Sequence, residues 1–183
     1  MKITMQTQTV YYREMIGEDW RHVHEYASQE IVSKYQPWGP NTQKESQAFV
    51  EEVIKEAKRK PRIRFVFAIV LKATGKTIGA GEFNIRDATN KTGEIGYIVN
   101  PEYWGKGIAT EAARFLLDFG FAERGMHRIF ATCDPKNAPS HKVLEKIGMQ
   151  KEGLMREDIL MKDGWRDSLL FSILKPEWME GSR

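Results

Sequence analysis

The stretch from Gly93 to Thr110 restricts this chain more than any other. Gly93-Glu-Ile-Gly-Tyr-Ile-Val99 is β-rich with a glycine at its centre. From Gly105 to about Arg124, Ile108, Ala112, Phe115, Leu116 and Phe119 recur at helical spacing, with Glu111, Arg114 and Asp118 on the wet face. Between the two stands Asn100-Pro-Glu-Tyr-Trp-Gly-Lys-Gly107. A strand that passes through a glycine-rich turn into the amino end of a long helix presents unpaired N–H groups and a positive dipole end to an anion, and Lys106 adds charge. Three readings of this turn compete: a connection without a ligand, a dinucleotide fingerprint, and a pyrophosphate loop for another cofactor. The fingerprint fits badly. Threonine 110 stands where its third glycine belongs, and five residues separate Val99 from Gly105. The Walker A pattern fails as well, because Gly105-Lys106 is followed by glycine.

The rest of the chain alternates in the same way. Thr9 to Met15 reads as a strand, and a helix broken once follows from Gly17 to about Tyr35. A loop at Gln36-Pro-Trp-Gly-Pro40 precedes a second helix that Asn41 or Thr42 can cap. Ile63 to Leu71, a strand through Arg86 and the glycine-centred strand form a meander. The apolar phase shifts near Gly79 and Gly81, which predicts a bulge. After the long helix come a buried strand at His127 to Asp134, a helix capped by Asn137 and ended by Gly148, and two strands joined through Lys162-Asp-Gly164. This order predicts a single α/β (α+β) domain over residues 1–183, with its core at about 9–175. Its mixed, mostly antiparallel sheet has seven strands flanked by about four helices.

Composition narrows the partners. At 41% hydrophobic and 29% charged residues the chain can bury a core, and a formal charge of +3 does not demand nucleic acid. No apolar run is long enough to cross a bilayer, and Met1 to Tyr12 lacks a secretory signal, so the expectation is a cytoplasmic protein without membrane partners, as monomer or homodimer. The single cysteine, Cys133, cannot form an intrachain disulfide or a zinc site. His22 and His24 lack the offset that puts two ligands on one helical face, so no metal is expected.

Three motifs in order, Glu94-Ile-Gly-Tyr-Ile-Val, Tyr103-Trp-Gly-Lys-Gly-Ile-Ala-Thr-Glu-Ala112 and Asn137-Ala-Pro-Ser-His-Lys-Val-Leu-Glu-Lys-Ile-Gly148, resemble the GNAT superfamily of acetyl-CoA-dependent N-acetyltransferases. Within it they resemble the branch of the ribosomal-protein N-terminal (alanine/serine) acetyltransferases, and the similarity runs from Tyr11 to Leu174. The resemblance implies a GNAT fold splayed between the fourth and fifth strands. It places a pyrophosphate on Trp104, Gly105, Lys106, Gly107, Ile108, Ala109 and Thr110, with Trp104 departing from the usual Gln or Arg. It implies a pantetheine arm pairing with the backbone of Tyr97, Ile98 and Val99, an oxyanion donor at Ile98 or Val99, and a cofactor contact from Asn137. Position alone explains Asn137 as a helix cap.

An amine must lose a proton before it attacks a thioester, since ammonium groups have pKa values of about 8 to 10.4. Glu94 stands where several family members keep a glutamate base, and it also reads as a solvent-facing strand residue. The resemblance makes Ser140 the donor to the departing thiolate, and its other reading is a first-turn residue supporting the cap. Ser140 and His141 are neighbours on a helix and cannot face each other as a nucleophilic pair. Cys133 reads as a small core thiol. Tyr35 and Trp38 fall where the family builds its acceptor wall, and Glu157-Asp158 could meet a cationic substrate. The expected activity is acetyl transfer from acetyl-CoA to a primary amine, foremost a protein N-terminal α-amine. A small amine such as a polyamine or aminoglycoside, or a non-catalytic acyl-CoA-binding module, are the alternatives.

Overall fold

The computed structural model describes residues 3–181. In chain order the elements are β1 (Ile3–Gln6), β2 (Val10–Glu14), α1 (Trp20–Ala27), α2 (Glu30–Ser33), α3 (Gln43–Glu56), β3 (Arg64–Leu71), β4 (Thr77–Asp87) and β5 (Thr92–Val99). They continue with α4 (Ile108–Asp118), β6 (Arg128–Cys133), α5 (Ala138–Lys146), β7 (Gln150–Met161), β8 (Gly164–Leu174) and α6 (Lys175–Gly181). All strands join one sheet in the order β1-β2-β3-β4-β5-β6-β8-β7. Only the β5–β6 pair is parallel.

The sheet therefore has eight strands where seven were expected, and six helices stand where about four were. The additional strand, Ile-Thr-Met-Gln, is too short to show a periodicity. α6 starts on Lys175-Pro176 directly after β8, where the proline is accepted because a first-turn residue needs no N–H partner. The first helix is in pieces: a 3₁₀ turn at Gly17–Asp19, then α1 and α2. The second begins as expected, with Thr42 accepting from the Glu45 N–H and the Glu45 carboxylate accepting from the Thr42 N–H at 2.7 Å. The expected bulge lies at Ile78, which is skipped between the pairs Ile69↔Gly79 and Val70↔Thr77. It turns Ile78 onto the same face as Phe83, and so accounts for the shifted apolar phase.

Both faces of the sheet are covered. Val10, Tyr12, Phe67, Phe83, Ile95 and Val99 pack under α4 and α5, whereas Val66, Ala68, Val70 and Ala80 pack under α1 and α3. Aromatic stacking ties α4 down, with Tyr12 and Phe115 at 4.2 Å between ring centroids and Phe67 against Phe119 at 5.0 Å. α4 runs on through a π-helical turn at Phe119–Glu123. There a Cβ on Gly120 would lie 2.5 Å from Ile129 and Phe83, so only glycine lets this turn press against the sheet. No helix among the described residues is long and apolar enough to cross a membrane.

Candidate active site

The site begins where β5 and β6 part. Their parallel pairing covers Thr92↔Arg128, Gly93↔Ile129 and Glu94↔Phe130 and goes no further. On the other side β5 stays paired with β4 up to Val99, and the Asn100 N–H donates to the Ile78 carbonyl at 2.8 Å. Backbone groups along a strand alternate between its two neighbours. Asn100, Ile98, Gly96 and Glu94 therefore bond β4, whereas Ile95, Tyr97 and Val99 turn theirs to the side that β6 has vacated. Of the backbone positions expected to serve a ligand, Tyr97 and Val99 are thus open and Ile98 is not, because its N–H and C=O belong to the β4 ladder. Ile98 instead packs its side chain toward α1 and α3. Gly96 is exposed at this fork, and a Cβ built there meets nothing within 4 Å, so no contact inside the chain requires glycine.

Beyond Val99 the chain makes a 3₁₀ turn at Pro101–Tyr103 capped by Asn100, then enters the glycine turn. Gly105 and Gly107 have φ of 74° and 80°, the left-handed region that a side chain disfavours, and a Cβ at either would meet nothing. Gly107 is the N-cap of α4, and no side chain caps that helix, so the N–H groups of Ile108, Ala109 and Thr110 face outward. The Ile108 side chain lies in the core, leaving only its backbone for a ligand. Trp104 is 47% exposed, and its indole N–H donates to the Val99 carbonyl at 2.7 Å. It thereby fastens the turn to the open strand and occupies the last backbone acceptor there. The Lys106 ammonium bonds the Glu102 carbonyl at 3.0 Å over the Tyr103 ring.

Two cavities meet at the fork. The smaller, about 150 Å³, lies between β5 and β6 against α5 and is lined by Tyr97, Cys133, Asn137, Ser140 and Arg166 among others. Asn137 caps α5, accepting from the Ser140 N–H at 3.3 Å through Oδ1, while Nδ2 is left over. The larger, about 870 Å³, lies on the α1/α3 face over Trp38, Phe49, Glu82 and Glu94. Ile95, Gly96 and Tyr97 line both. Glu94 and Ser140 therefore approach the fork from opposite faces of the sheet. Tyr35 is found at the smaller cavity and Trp38 at the larger, so the expected acceptor wall is divided between them.

The Glu94 carboxyl is only 18% exposed. Burial pushes its pKa up, its ion pair with Arg86 opposes this, and the charges of Glu82 and Asp158 add to the rise. Arg86 is the residue skipped between the pairs Ile85↔Gly93 and Asp87↔Thr92, and this bulge turns it toward Glu94. Glu157 has φ 50° and its backbone N–H donates to the Asp167 carboxylate at 2.8 Å, and of the acidic pair it is Asp158 whose charge acts on Glu94. Sequence reasoning missed the residues that hold the 35–40 loop over both cavities. Arg166 on β8 donates to the Tyr35 carbonyl at 2.8 Å, and Lys162 in the β7–β8 turn donates to the Gly39 carbonyl. Both contacts span more than a hundred residues, which no local pattern signals. Cys133 is buried with its pKa pushed to about 11 by burial, an inert thiol. His24 faces the Ser46 hydroxyl at 3.2 Å and His22 the Thr77 N–H at 3.4 Å. No cluster of described residues could hold a metal ion.

Residues 10–150 match the family model described as the acetyltransferase (GNAT) domain. The chain belongs to the GNAT acetyltransferases. This GNAT chain is 38% identical over 172 residues to the uncharacterised N-acetyltransferase YnaD of Bacillus subtilis, covering 94% of this chain and 97% of that one. A solved GNAT-family acetyltransferase of Bacillus anthracis superposes with a TM-score of 0.82 at 35% identity, covering 94% and 98%. Mycobacterium smegmatis RimJ, solved in complex with CoA-disulfide, does so with a TM-score of 0.80 at 28% identity, covering 92% and 83%. The GNAT chain is an N-acetyltransferase.

Proposed function

We propose that this GNAT protein takes the acetyl group of acetyl-CoA and transfers it to the α-amine of a protein N-terminus by direct attack on the thioester. The observation that carries the reading is the meeting of two cavities at Gly96, one lined by an unpaired strand edge and the other open to solvent. The cofactor supplies the activated acyl group. The N–H groups of Ile108, Ala109 and Thr110, freed by the glycines, hold its diphosphate. Tyr97 holds its arm through its outward backbone groups, and Asn137 Nδ2 contacts it beside the α5 cap. The Val99 N–H faces the developing charge on the carbonyl oxygen, and Glu94 receives the proton of the attacking amine from the other face.

The larger groove favours a peptide over a polyamine. Of its four glutamates, Glu82 is neutralised by Arg64 at 2.8 Å and Glu94 by Arg86, Glu45 accepts its own cap N–H, and Glu52 alone has no partner among the described residues. A polycation gains most from carboxylates without partners, whereas an extended peptide has one charged end. Thiol release from acetyl-CoA, followed over peptides beginning with alanine or serine, polyamines and aminoglycosides, tests the proposal. The expected result is release with the peptides. Faster release with polyamines overturns the acceptor, and coenzyme binding without release over the whole panel overturns the catalysis.

A further inference from the structure

On the α4/α5 side of β5, Tyr97 and Ser140 line the smaller cavity together. The Tyr97 hydroxyl is sealed from solvent and makes no hydrogen bond of good geometry among the described residues, and the Ser140 hydroxyl is the polar group that acts on it. Ser140 lines the smaller cavity from the first turn of α5, where the Asn137 cap takes its backbone N–H and leaves the hydroxyl unengaged. A buried hydroxyl without a partner costs about 1–3 kcal/mol, and a fold keeps such an atom where function outweighs stability. The Ser140 hydroxyl next to Tyr97 opposes the upward push that burial gives the phenol. The other neighbouring group, the Cys133 thiol, stays protonated and is a weak partner. Burial keeps the phenol neutral, hence a donor.

We propose that Tyr97 is the positioning residue of Ser140: its buried O–H donates to Ser140 Oγ and thereby turns the one proton of Ser140 into the cavity, toward the sulfur of the departing coenzyme. The proposal rests on the acyl-transfer reading above. In the step it serves, a bond forms between the amine nitrogen and the carbonyl carbon, and the carbon–sulfur bond breaks with its electron pair passing to sulfur. The amine proton goes to Glu94. Ser140 donates a hydrogen bond to the thiolate, which takes its own proton from solvent on release. Without Tyr97 behind it, a serine in a first helical turn is free to return its proton to a backbone carbonyl.

Calorimetric titration of the wild-type chain, Tyr97→Phe, Ser140→Ala and the double variant with coenzyme A and with desulfo-coenzyme A, from pH 7 to 9.5, decides the matter. Alkyl thiols ionise near a pKa of about 8.5, and a donor aimed at sulfur favours the thiolate. The wild-type preference for coenzyme A over its desulfo analogue is expected to grow with pH to about tenfold, the value of one hydrogen bond to a charged group. Tyr97→Phe is expected to lose that preference as fully as Ser140→Ala does, with no further loss in the double variant. Its melting temperature is expected to stay close to that of the wild type, because the packed ring is kept and one hydrogen bond contributes only about 0.5–1.5 kcal/mol. A preference that survives Tyr97→Phe, or losses that add in the double variant, overturn the proposal alone. Equal weakening of both ligands with a lowered melting temperature does so too, since it marks a packing role. Refusal of coenzyme A by the wild-type chain overturns this proposal and the acyl-transfer reading together.

Discussion

Glu94 is held between opposing influences, and its variants separate them. Burial raises its pKa above the usual carboxylate value of 4.5, and the Arg86 ion pair draws it back. A base must be deprotonated to act, so the acid limb of the activity profile is expected above that value. Arg86→Gln removes the opposing cation and is expected to move the limb to higher pH, which a pH series of kcat/KM measures. Glu94→Gln is expected to lower turnover by about 10² to 10⁴-fold, with the KM for acetyl-CoA nearly unchanged. Glu94 was singled out by the family resemblance, the strand itself reading it only as solvent-facing. Its partner was not, because Arg86 faces it only through a one-residue bulge in β4, and a bulge follows from how two strands pair rather than from either strand's composition.

The turn between β5 and α4 makes its own prediction at the scale of an element. Gly107→Ala puts a Cβ on a residue at φ 80° where the space is open, so the loss comes from backbone conformation alone, about 1–2 kcal/mol. The same substitution is expected to weaken coenzyme A binding by shifting the amides of α4, and calorimetry reads both effects. Asn137→Ala removes the α5 cap at a cost of about 0.5–2 kcal/mol. It is expected to weaken coenzyme A further than Ser140→Ala does, since Nδ2 goes with the cap. The helix–turn pattern was readable because glycine and helical periodicity are local signals. The indole of Trp104 reaching back to Val99 was not, since nothing in the spelling of the turn says which way an exposed tryptophan folds.

Across the whole molecule β2 is bound to the centre of the sheet by a buried ion pair. Arg13 on β2 grips Asp19 with two hydrogen bonds of 2.6 and 2.7 Å, and Asp19 also accepts from the Thr77 hydroxyl on β4 and the Ile16 N–H. Burial alone would raise the Asp19 pKa, but these hydrogen bonds outweigh it and hold the carboxyl below its usual 3.8. A depressed carboxylate pKa gives stability that is present above the unfolded value and lost as pH falls through the folded one. Asp19→Ala is expected to cost about 3–5 kcal/mol by stranding Arg13. It should also flatten the loss of stability below about pH 4, and denaturant melts across pH measure both. The linear chain by itself determined the order of elements from β2 to β8, the glycine turn and the cap of α5, because glycine placement, apolar periodicity and capping act within a few residues of one another. Tertiary structure decided which edge of β5 stays open, that Tyr97 and Ser140 line one cavity, and that Lys162 and Arg166 hold a loop more than a hundred residues away. Those contacts depend on strand order and register, which arise only when distant segments pack against each other.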